Sequence, residues 1–216
     1  MLFRSVGVLK RFVDWVADAY VDIQIRHNNW RWLRSTFTFN TVANTDEYAY
    51  TVVTDLRLGT IISRFSRWLV RDERGLSNIT FYLTSAGVSS EVYLTPLAWA
   101  NFRYIYKRGA QSALTNKPVH ITITPQNTLM LGPNPNGIYT VKGEYQMSAQ
   151  TLALNSDVPE MPSDYHDLIL YRAMEKASYD IVAVELLERA GKEGSRLTRA
   201  LEFNQLPPIT LAEPMV

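Results

Sequence analysis

Three histidines are the residues best suited to acid–base or metal chemistry in this sequence of 216 residues: His27, His120 and His166. Imidazole titrates near neutral pH and is a common metal ligand. None of the three belongs to an HExxH motif or stands at ligand spacing from a carboxylate. Because nothing in the sequence predicts that their segments meet, we expect structural or surface roles for all three. We expect neither a metal nor another cofactor.

Other catalytic patterns are also absent from the sequence. The acidic pairs Asp46–Glu47 and Asp72–Glu73 fall in predicted turns, where carboxylates are usually solvated. There is no GxSxG elbow, no GxGxxG turn and no P-loop. The absence of cysteine excludes thiolate catalysis, disulfides and cysteine-based zinc sites, and it fits a reducing cytoplasm. The sequence therefore predicts a protein that is not an enzyme.

The stretch HNNWRWLR, residues 27–34, could serve as a nucleic-acid stacking platform, a cation–π cluster or a core anchor. A nucleic-acid platform needs basic support, but 22 basic and 21 acidic residues leave a net charge of only +1. Trp30 continues an apolar stripe and is predicted to join the core, whereas Trp32 is predicted to seat a β-rich domain. Arg31 and Arg34 would complement a helix C-terminus. We interpret these four residues as a hinge between a helical bundle and a β domain.

The elements that must position these residues follow from hydrophobic spacing. Apolar residues at steps of three and four predict one amphipathic helix over about residues 6–34. The segments STFTFNTV and EYAYTVV alternate apolar and polar residues and are joined by ANTDE, which predicts a hairpin. A short helix is predicted in PLAWANFRYIYKRG, and strands are predicted in KPVHITITP, NTLMLGP and GIYTVKGEYQM.

Helical spacing returns after a connector that contains two prolines. It predicts a helical hairpin of roughly 163–179 and 181–204, with a break near Asp180. Small residues in the second helix, such as Gly191 and Gly194, have two interpretations. They allow close approach of another helix, or they simply weaken the helix by about 1 kcal/mol each.

These elements predict an α+β fold. Residues 1–34 and 160–205 would form a helical bundle, and residues 35–150 an inserted, mostly antiparallel β domain with one short helix. Residues 206–216 are predicted to form an extended arm, because the prolines in this segment would not continue the preceding helix. Apolar arm residues are candidate interface residues, because they are costly to leave in water: Leu206, Pro207, Pro208, Ile209, Leu211 and Met215.

Two further features limit location and function. No apolar run reaches the ~18–20 residues needed to span a bilayer, and the first residues lack a signal-peptide cleavage site. We therefore expect a soluble protein that is not exported and has no membrane partner. Aromatic residues make up 12% of the chain. They fit either a well-filled β core or a wet binding interface.

Taken in order, several segments resemble head-to-tail adaptor (connector) proteins of tailed bacteriophages. The stretches that carry the resemblance are RFVDWVADAYVDIQIRHNNWRWLRSTFTF, KPVHITITPQNTLMLGPNPNGIYTVKGEYQM, DVPEMPSDYHDLILYRAMEKASYD and ALEFNQLPP. They span most of the chain in the order found in the family.

The resemblance implies a non-enzymatic virion protein, made in the host cytoplasm and placed in the neck. About twelve copies would form a ring beneath the portal protein. The ring would extend the channel for packaged DNA without sequence-specific binding, and it would attach tail or nozzle components. Alternatives are a tail-tube, nozzle or head-closure subunit of the same particle. A carbohydrate- or nucleic-acid-binding module that uses the aromatic β domain is an alternative from a different class.

Overall fold

The computed structural model of the protein describes residues 6–154 and 156–207. In this part of the chain the fold is α+β, as predicted, with α-helices and mainly antiparallel β-sheets. The α-helices are α1 (Val6–Ile25), α2 (Trp99–Tyr106), α3 (His166–Ile181) and α4 (Val184–Gln205).

Backbone contacts divide the chain into two compact units. One unit, residues 34–148, contains α2 and the strands, and we call it the β unit. The other combines the described residues of 1–33 and 149–216, and we call it the helical unit.

In the helical unit, α1 packs on α3 and α3 packs on α4. The turn at Val182 and Ala183 separates α3 from α4, close to the predicted break near Asp180. Their hairpin is antiparallel, with the Arg172 guanidinium donating to the Thr198 hydroxyl at 2.9 Å. The core is formed by large side chains from both ends of the chain, among them Tyr20, Trp30, Met161, Leu168 and Leu201.

The first helix is shorter than predicted. It ends at Ile25 rather than near residue 34, and Arg31–Leu33 form a separate 3₁₀ turn. Trp30 stands seven residues after Ile23, the spacing of two helical turns, so the hydrophobic pattern continues where the helix does not. The intervening Asn28 and Asn29 have low helix propensity and are common in turns.

The β unit contains two larger sheets and one small one. Its strands are β1 (Arg34–Asn40), β2 (Glu47–Tyr48), β3 (Thr54–Asp55), β4 (Thr60–Ile61), β5 (Arg67–Leu69), β6 (Thr80–Leu83), β7 (Val92–Tyr93), β8 (Thr95–Pro96), β9 (Thr115–Asn116), β10 (His120–Ile123), β11 (Leu129–Gly132), β12 (Asn134–Pro135) and β13 (Tyr139–Gln146). The largest sheet has the order β4-β3-β1-β13-β6-β7, with β5 also paired to β13. The second sheet has the order β2-β11-β10-β8, and β12 pairs with β9.

The predicted hairpin between STFTFNTV and EYAYTVV is wrong. β1 pairs with β13 along its whole length, with Phe37 opposite Gly143, whereas β2 belongs to the second sheet. Packing explains why a glycine stands at position 143. A Cβ there would lie 2.9 Å from the Phe37 ring and would also overlap Ile79. Because Gly143 has no side chain, the buried ring of Phe37 can lie directly over the backbone of β13.

The buried side chain of Asp55 in β3 links β3 to β1 and β13 by hydrogen bonds. The carboxylate is fully buried, and it accepts hydrogen bonds from the Tyr145 hydroxyl at 2.6 Å and the Ser35 hydroxyl at 2.9 Å. Burial alone would raise the pKa of Asp55. These two bonds and those from the Arg57 and Leu58 amides outweigh burial and lower the pKa. Burial, followed by the contact with Asp55, raises the pKa of Tyr145.

Candidate assembly surface of the helical unit

The register between α1 and α3 leaves part of α1 without a helical partner. Lys176 pairs with Asp22 at 2.7 Å and Arg11 with Asp180 at 3.1 Å, so the two helices run antiparallel. Val16 lies six residues before Asp22, or about 9 Å along α1. α3 continues for only five residues beyond Lys176. The first turns of α1 therefore lie level with, or beyond, the end of α3.

The apolar stripe of α1 continues into these first turns and is uncovered there. Ala19, Tyr20 and Ile23 are buried. Phe12 and Val16 share the same face at helical spacing, but 49% of Phe12 and 36% of Val16 are exposed. The core-forming face of α1 is thus longer than the part of the unit that covers it.

A connector segment runs beside this exposed part of α1 and forms a groove with it. The groove has a volume of about 280 Å³, slightly below the ~300–1,000 Å³ of typical small-molecule sites. It is lined by Phe12, Val13, Val16, Ala17, Leu152, Ala153, Leu154 and Asp157. Because this lining is mostly apolar, the groove suits aliphatic side chains better than a polar ligand.

Buried polar groups hold the connector against α1. The side chain of Gln24, 2% exposed, donates to the carbonyl oxygen of Gln150 at 2.9 Å and accepts from the Gln150 amide at 2.7 Å. The Tyr20 hydroxyl donates to the Gln150 side chain and accepts from the Glu160 amide, both at 2.9 Å. One wall of the groove is therefore fixed to the other by a closed hydrogen-bond network.

Asp157 fixes the local shape of the connector. Its carboxylate accepts from the amides of Ala153 at 2.7 Å and Leu154 at 2.8 Å. The bonds from Leu154 and Ala153 lower the pKa of Asp157. The carboxylate is thus a structural acceptor at the edge of the groove.

The turn between α3 and α4 is a second exposed apolar feature. Val182 has φ 52° and ψ 48°, the left-handed conformation that favours glycine at a helix C-terminus, and its side chain is 82% exposed. Ile181 and Val184 beside it are also exposed. No sequence signal marks this strain, because no glycine or asparagine stands in the turn.

The small residues of α4 allow close approach of α3. Ala190 and Gly194 are buried, and a Cβ on Gly194 would lie 3.6 Å from the Cβ of Tyr171. The close-approach interpretation therefore holds for Gly194. Because 3.6 Å is an ordinary contact distance, alanine would also fit there.

The HNNWRWLR stretch joins α1 to α4. Trp30 is fully buried, stacks on Trp32 at 4.4 Å between ring centroids and meets His27 edge-on at 5.0 Å. Nε2 of His27 and Nε of Arg26 both contact Oε1 of Glu202 in α4, at 2.9 Å and 3.0 Å. Trp30 is therefore a core anchor of the helical unit.

The two arginines of this stretch do not lie in the last turn of α1. That turn contains no basic residue, because the helix ends before Arg31. Arg31 is exposed in the 3₁₀ turn. Arg34 begins β1 and donates to Glu73 at 3.3 Å. The expectation that Arg31 and Arg34 complement the helix C-terminus is therefore wrong.

The arm is only partly described. Leu206 has extended backbone angles, so the chain leaves α4 there, and Leu206 and Pro207 are half-buried. Pro208, Ile209, Leu211 and Met215, the other candidate interface residues, lie outside the described residues.

The histidines are placed in separate environments. His166 contacts the carbonyl oxygen of Met161 at 2.9 Å, and His120 contacts the Tyr106 hydroxyl at 2.6 Å in the β unit. Burial lowers the pKa of His120 and raises that of Tyr106. Within residues 6–154 and 156–207, His, Asp and Glu form no cluster of three that could hold a metal ion. The same residues contain no helix with the length and hydropathy needed to cross a membrane.

Most aromatic side chains of the β unit fill its core. The buried ones are Phe37, Phe39, Tyr48, Trp68, Phe81, Phe102, Tyr139 and Tyr145. Tyr93 and Tyr104 are strongly exposed, but they lie on different elements, β7 and α2. The core interpretation of the aromatic content therefore applies to this unit.

A helical unit that leaves an apolar stripe and an apolar turn exposed is typical of a subunit that assembles with other proteins. A family model described as SU10 adaptor protein matches residues 5–205, and the chain belongs to this family. The resemblance to phage head-to-tail adaptors is thereby confirmed. The chain is a structural phage adaptor, and membership implies a non-enzymatic role in the virion together with other virion components. A comparison with curated proteins gave no match.

Proposed function

We propose that about twelve copies of this protein form a ring beneath the portal, extend the DNA channel and provide the attachment site for tail components. The structural observation that carries this proposal is the uncovered apolar surface at one end of the helical unit. Phe12 and Val13 in α1 and Val182 and Val184 in the hairpin are all substantially exposed. Such surfaces are stable in water when a partner covers them.

The charge of the chain supports a channel role. A net charge of +1 gives little overall attraction for DNA phosphates. A channel that must let DNA pass benefits from weak, sequence-independent contacts. Packaged DNA is therefore proposed as a passing partner rather than a bound ligand.

The proposed ring body consists of the helical unit. The sequence crosses from one unit to the other between Leu33 and Arg34. We assign the hinge to Trp30, Arg31, Trp32 and Arg34, since Trp30 is anchored in the helical core and Arg34 begins the first strand. The arm from Leu206 onward is proposed as a clasp.

Mixing the purified protein with purified portal tests this function by electron microscopy. The proposal expects an additional ring on one face of the portal, with the symmetry of the portal. Portal particles that stay bare at saturating protein concentration would contradict it. Rings that bind purified tail tube but not portal would favour a tail-tube or nozzle subunit instead.

A further inference from the structure

The turn between α3 and α4 is strained, although the sequence around it favours helix. Val182 is β-branched and has φ 52°, a backbone conformation that such residues rarely adopt. Its side chain is 82% exposed, so packing contributes little to holding it in this conformation. Residues 172–190 contain no glycine, proline or asparagine, the residues that usually end a helix or form a turn. The chain therefore turns where its local sequence would continue the helix.

The hydrophobic spacing also continues through the turn. Apolar residues recur there at steps of four, three and three, the spacing of one uninterrupted helix: Ala177, Ile181, Val184 and Leu187. At the turn, the first amides of α4 lack the intrahelical acceptors that α3 would supply in a continuous helix. Ala183, the N-cap of α4, makes no side-chain hydrogen bond that could replace them. A continuous helix would thus remove the strain and supply these acceptors.

Straightening of the turn would move α4 away from α3 of its own chain. The two helices would then share one axis over about 60 Å, from His166 to Gln205. The faces by which they pack are apolar and buried, and exposing them to water is costly. These faces contain the buried residues Ala173, Ala177, Ala190 and Leu201. α4 therefore needs another α3 to cover it.

A second copy of the chain supplies that surface. Its α3 has the same apolar face and the same Arg172, which donates to the Thr198 hydroxyl at 2.9 Å. Its Arg26 can likewise receive Glu202, the residue with which it pairs at 3.0 Å. Every contact that α4 makes in the hairpin can thus form again between two copies. Because these contacts are specific to α3 and the end of α1, they select a second copy as the partner of a displaced α4.

We propose that the α3–α4 hairpin opens at Val182 into one continuous helix and that α4 then packs on α3 of a second copy of this chain. Reciprocal exchange gives a dimer, and exchange from each copy to the next closes into a ring. The inference adds a subunit contact to the proposed ring, but it requires only copies of this chain and no portal.

The chain contains no cysteine, so disulfide trapping can detect the exchange. A Cβ on Gly194 would lie 3.6 Å from the Cβ of Tyr171, within the range of about 3.5–4.5 Å found in disulfides. Single variants Y171C and G194C are mixed in equal amounts at high concentration, alone and on portal, and oxidised. The two cysteines meet only if α4 of one copy packs on α3 of another. We expect the mixed disulfide, identified by a mass tag on one variant, to exceed both homodimers.

V182G tests whether the strained turn drives the exchange. Glycine relieves the turn and disfavours the continuous helix, so V182G in both partners should lower the yield of mixed disulfide by at least about fivefold. V184G is the matched control. Val184 is also exposed, but it is helical in both states, so V184G should leave the yield unchanged. Equal yields from V182G and V184G would overturn the inference.

Spin labels provide a second readout that needs no disulfide. Leu170 and Arg199 are exposed, and cysteines at both positions of one chain accept nitroxide labels. In the hairpin the labels lie on neighbouring helices. In a continuous helix, the 29 residues between them correspond to about 44 Å. With an excess of unlabelled chain, we expect a population at the longer distance that grows with protein concentration and is reduced by V182G.

The outcomes separate this inference from the proposed function. The double variant Y171C/G194C checks the disulfide geometry within one chain, and if it does not link, the spin labels decide. If it links while the mixed single variants do not, and the longer distance is absent, the inference is overturned. Rings on portal would then still support the proposed function. If exchange occurs but portal is never bound, the inference stands and the proposed function fails.

Discussion

The indole nitrogen of Trp30 donates hydrogen bonds to the carbonyl oxygen of Gln24 at 3.0 Å and to that of Ile23 at 3.1 Å. These carbonyls belong to the last turn of α1, which lacks intrahelical donors. A side chain five residues past the end of the helix thus folds back and caps it. The neighbouring Trp32 differs, because its indole nitrogen is buried without a hydrogen-bond partner among the described residues.

This contrast predicts different effects of the same substitution at two tryptophans that are separated by one residue. W30F keeps an aromatic ring but leaves two carbonyls without their donor, so we expect a loss of about 1–3 kcal/mol in the free energy of unfolding. W32F removes a donor that has no partner and should cost clearly less. Urea unfolding of both variants measures the difference. Equal losses would show that the hydrogen bonds of Trp30 contribute nothing beyond ring packing.

Much of the helical unit could be predicted from sequence, but the end of α1 could not. Its apolar spacing continues through Trp30, and the pattern alone cannot show that the chain turns back at Asn28 and Asn29. Strand pairing failed for another reason. β1 pairs with β13 about a hundred residues later, and no local signal specifies such a distant partner. The strained Val182 and the polar network of Gln24 with Gln150 also depend on tertiary contacts.

The buried Asp55 predicts an acid-sensitive β unit. Its folded-state pKa is lowered, so its contribution to stability is complete above the unfolded value of about 3.9 and is lost as the pH falls through the folded pKa. D55N should lower stability at neutral pH by about 1–3 kcal/mol and should flatten the acid dependence. Urea midpoints between neutral and acidic pH provide the measurement, with D18N at an exposed site of α1 as the control. An unchanged acid dependence in D55N would contradict the role of this carboxylate.

Two glycines should respond oppositely to alanine. G143A places a methyl group against the buried Phe37 and Ile79, and we expect a loss of about 1–3 kcal/mol from overpacking. G194A meets only ordinary contacts at 3.6 Å, so the higher helix propensity of alanine should stabilise α4 by up to about 1 kcal/mol. Thermal unfolding of the two variants distinguishes these signs. Stabilisation by G143A would show that the Phe37 ring does not pack over Gly143 as described.

The left-handed Val182 predicts a substitution that stabilises the protein. V182G removes the steric cost of a β-branched residue at positive φ, and the free energy of unfolding should rise by about 0.5–1 kcal/mol. V184G is the control, because Val184 is similarly exposed but begins α4, where glycine gives no such relief. If V182G destabilises the protein as much as V184G does, the valine is not strained in the free chain.

The central claim is that the protein docks on the portal as a ring, and native mass measurement tests it most directly. Purified portal is saturated with the protein and separated from the excess, and the mass of the intact complex is then measured. With 24.7 kDa per chain, about twelve copies should add about 300 kDa to each portal particle. A portal mass that does not change at saturation would contradict the adaptor function.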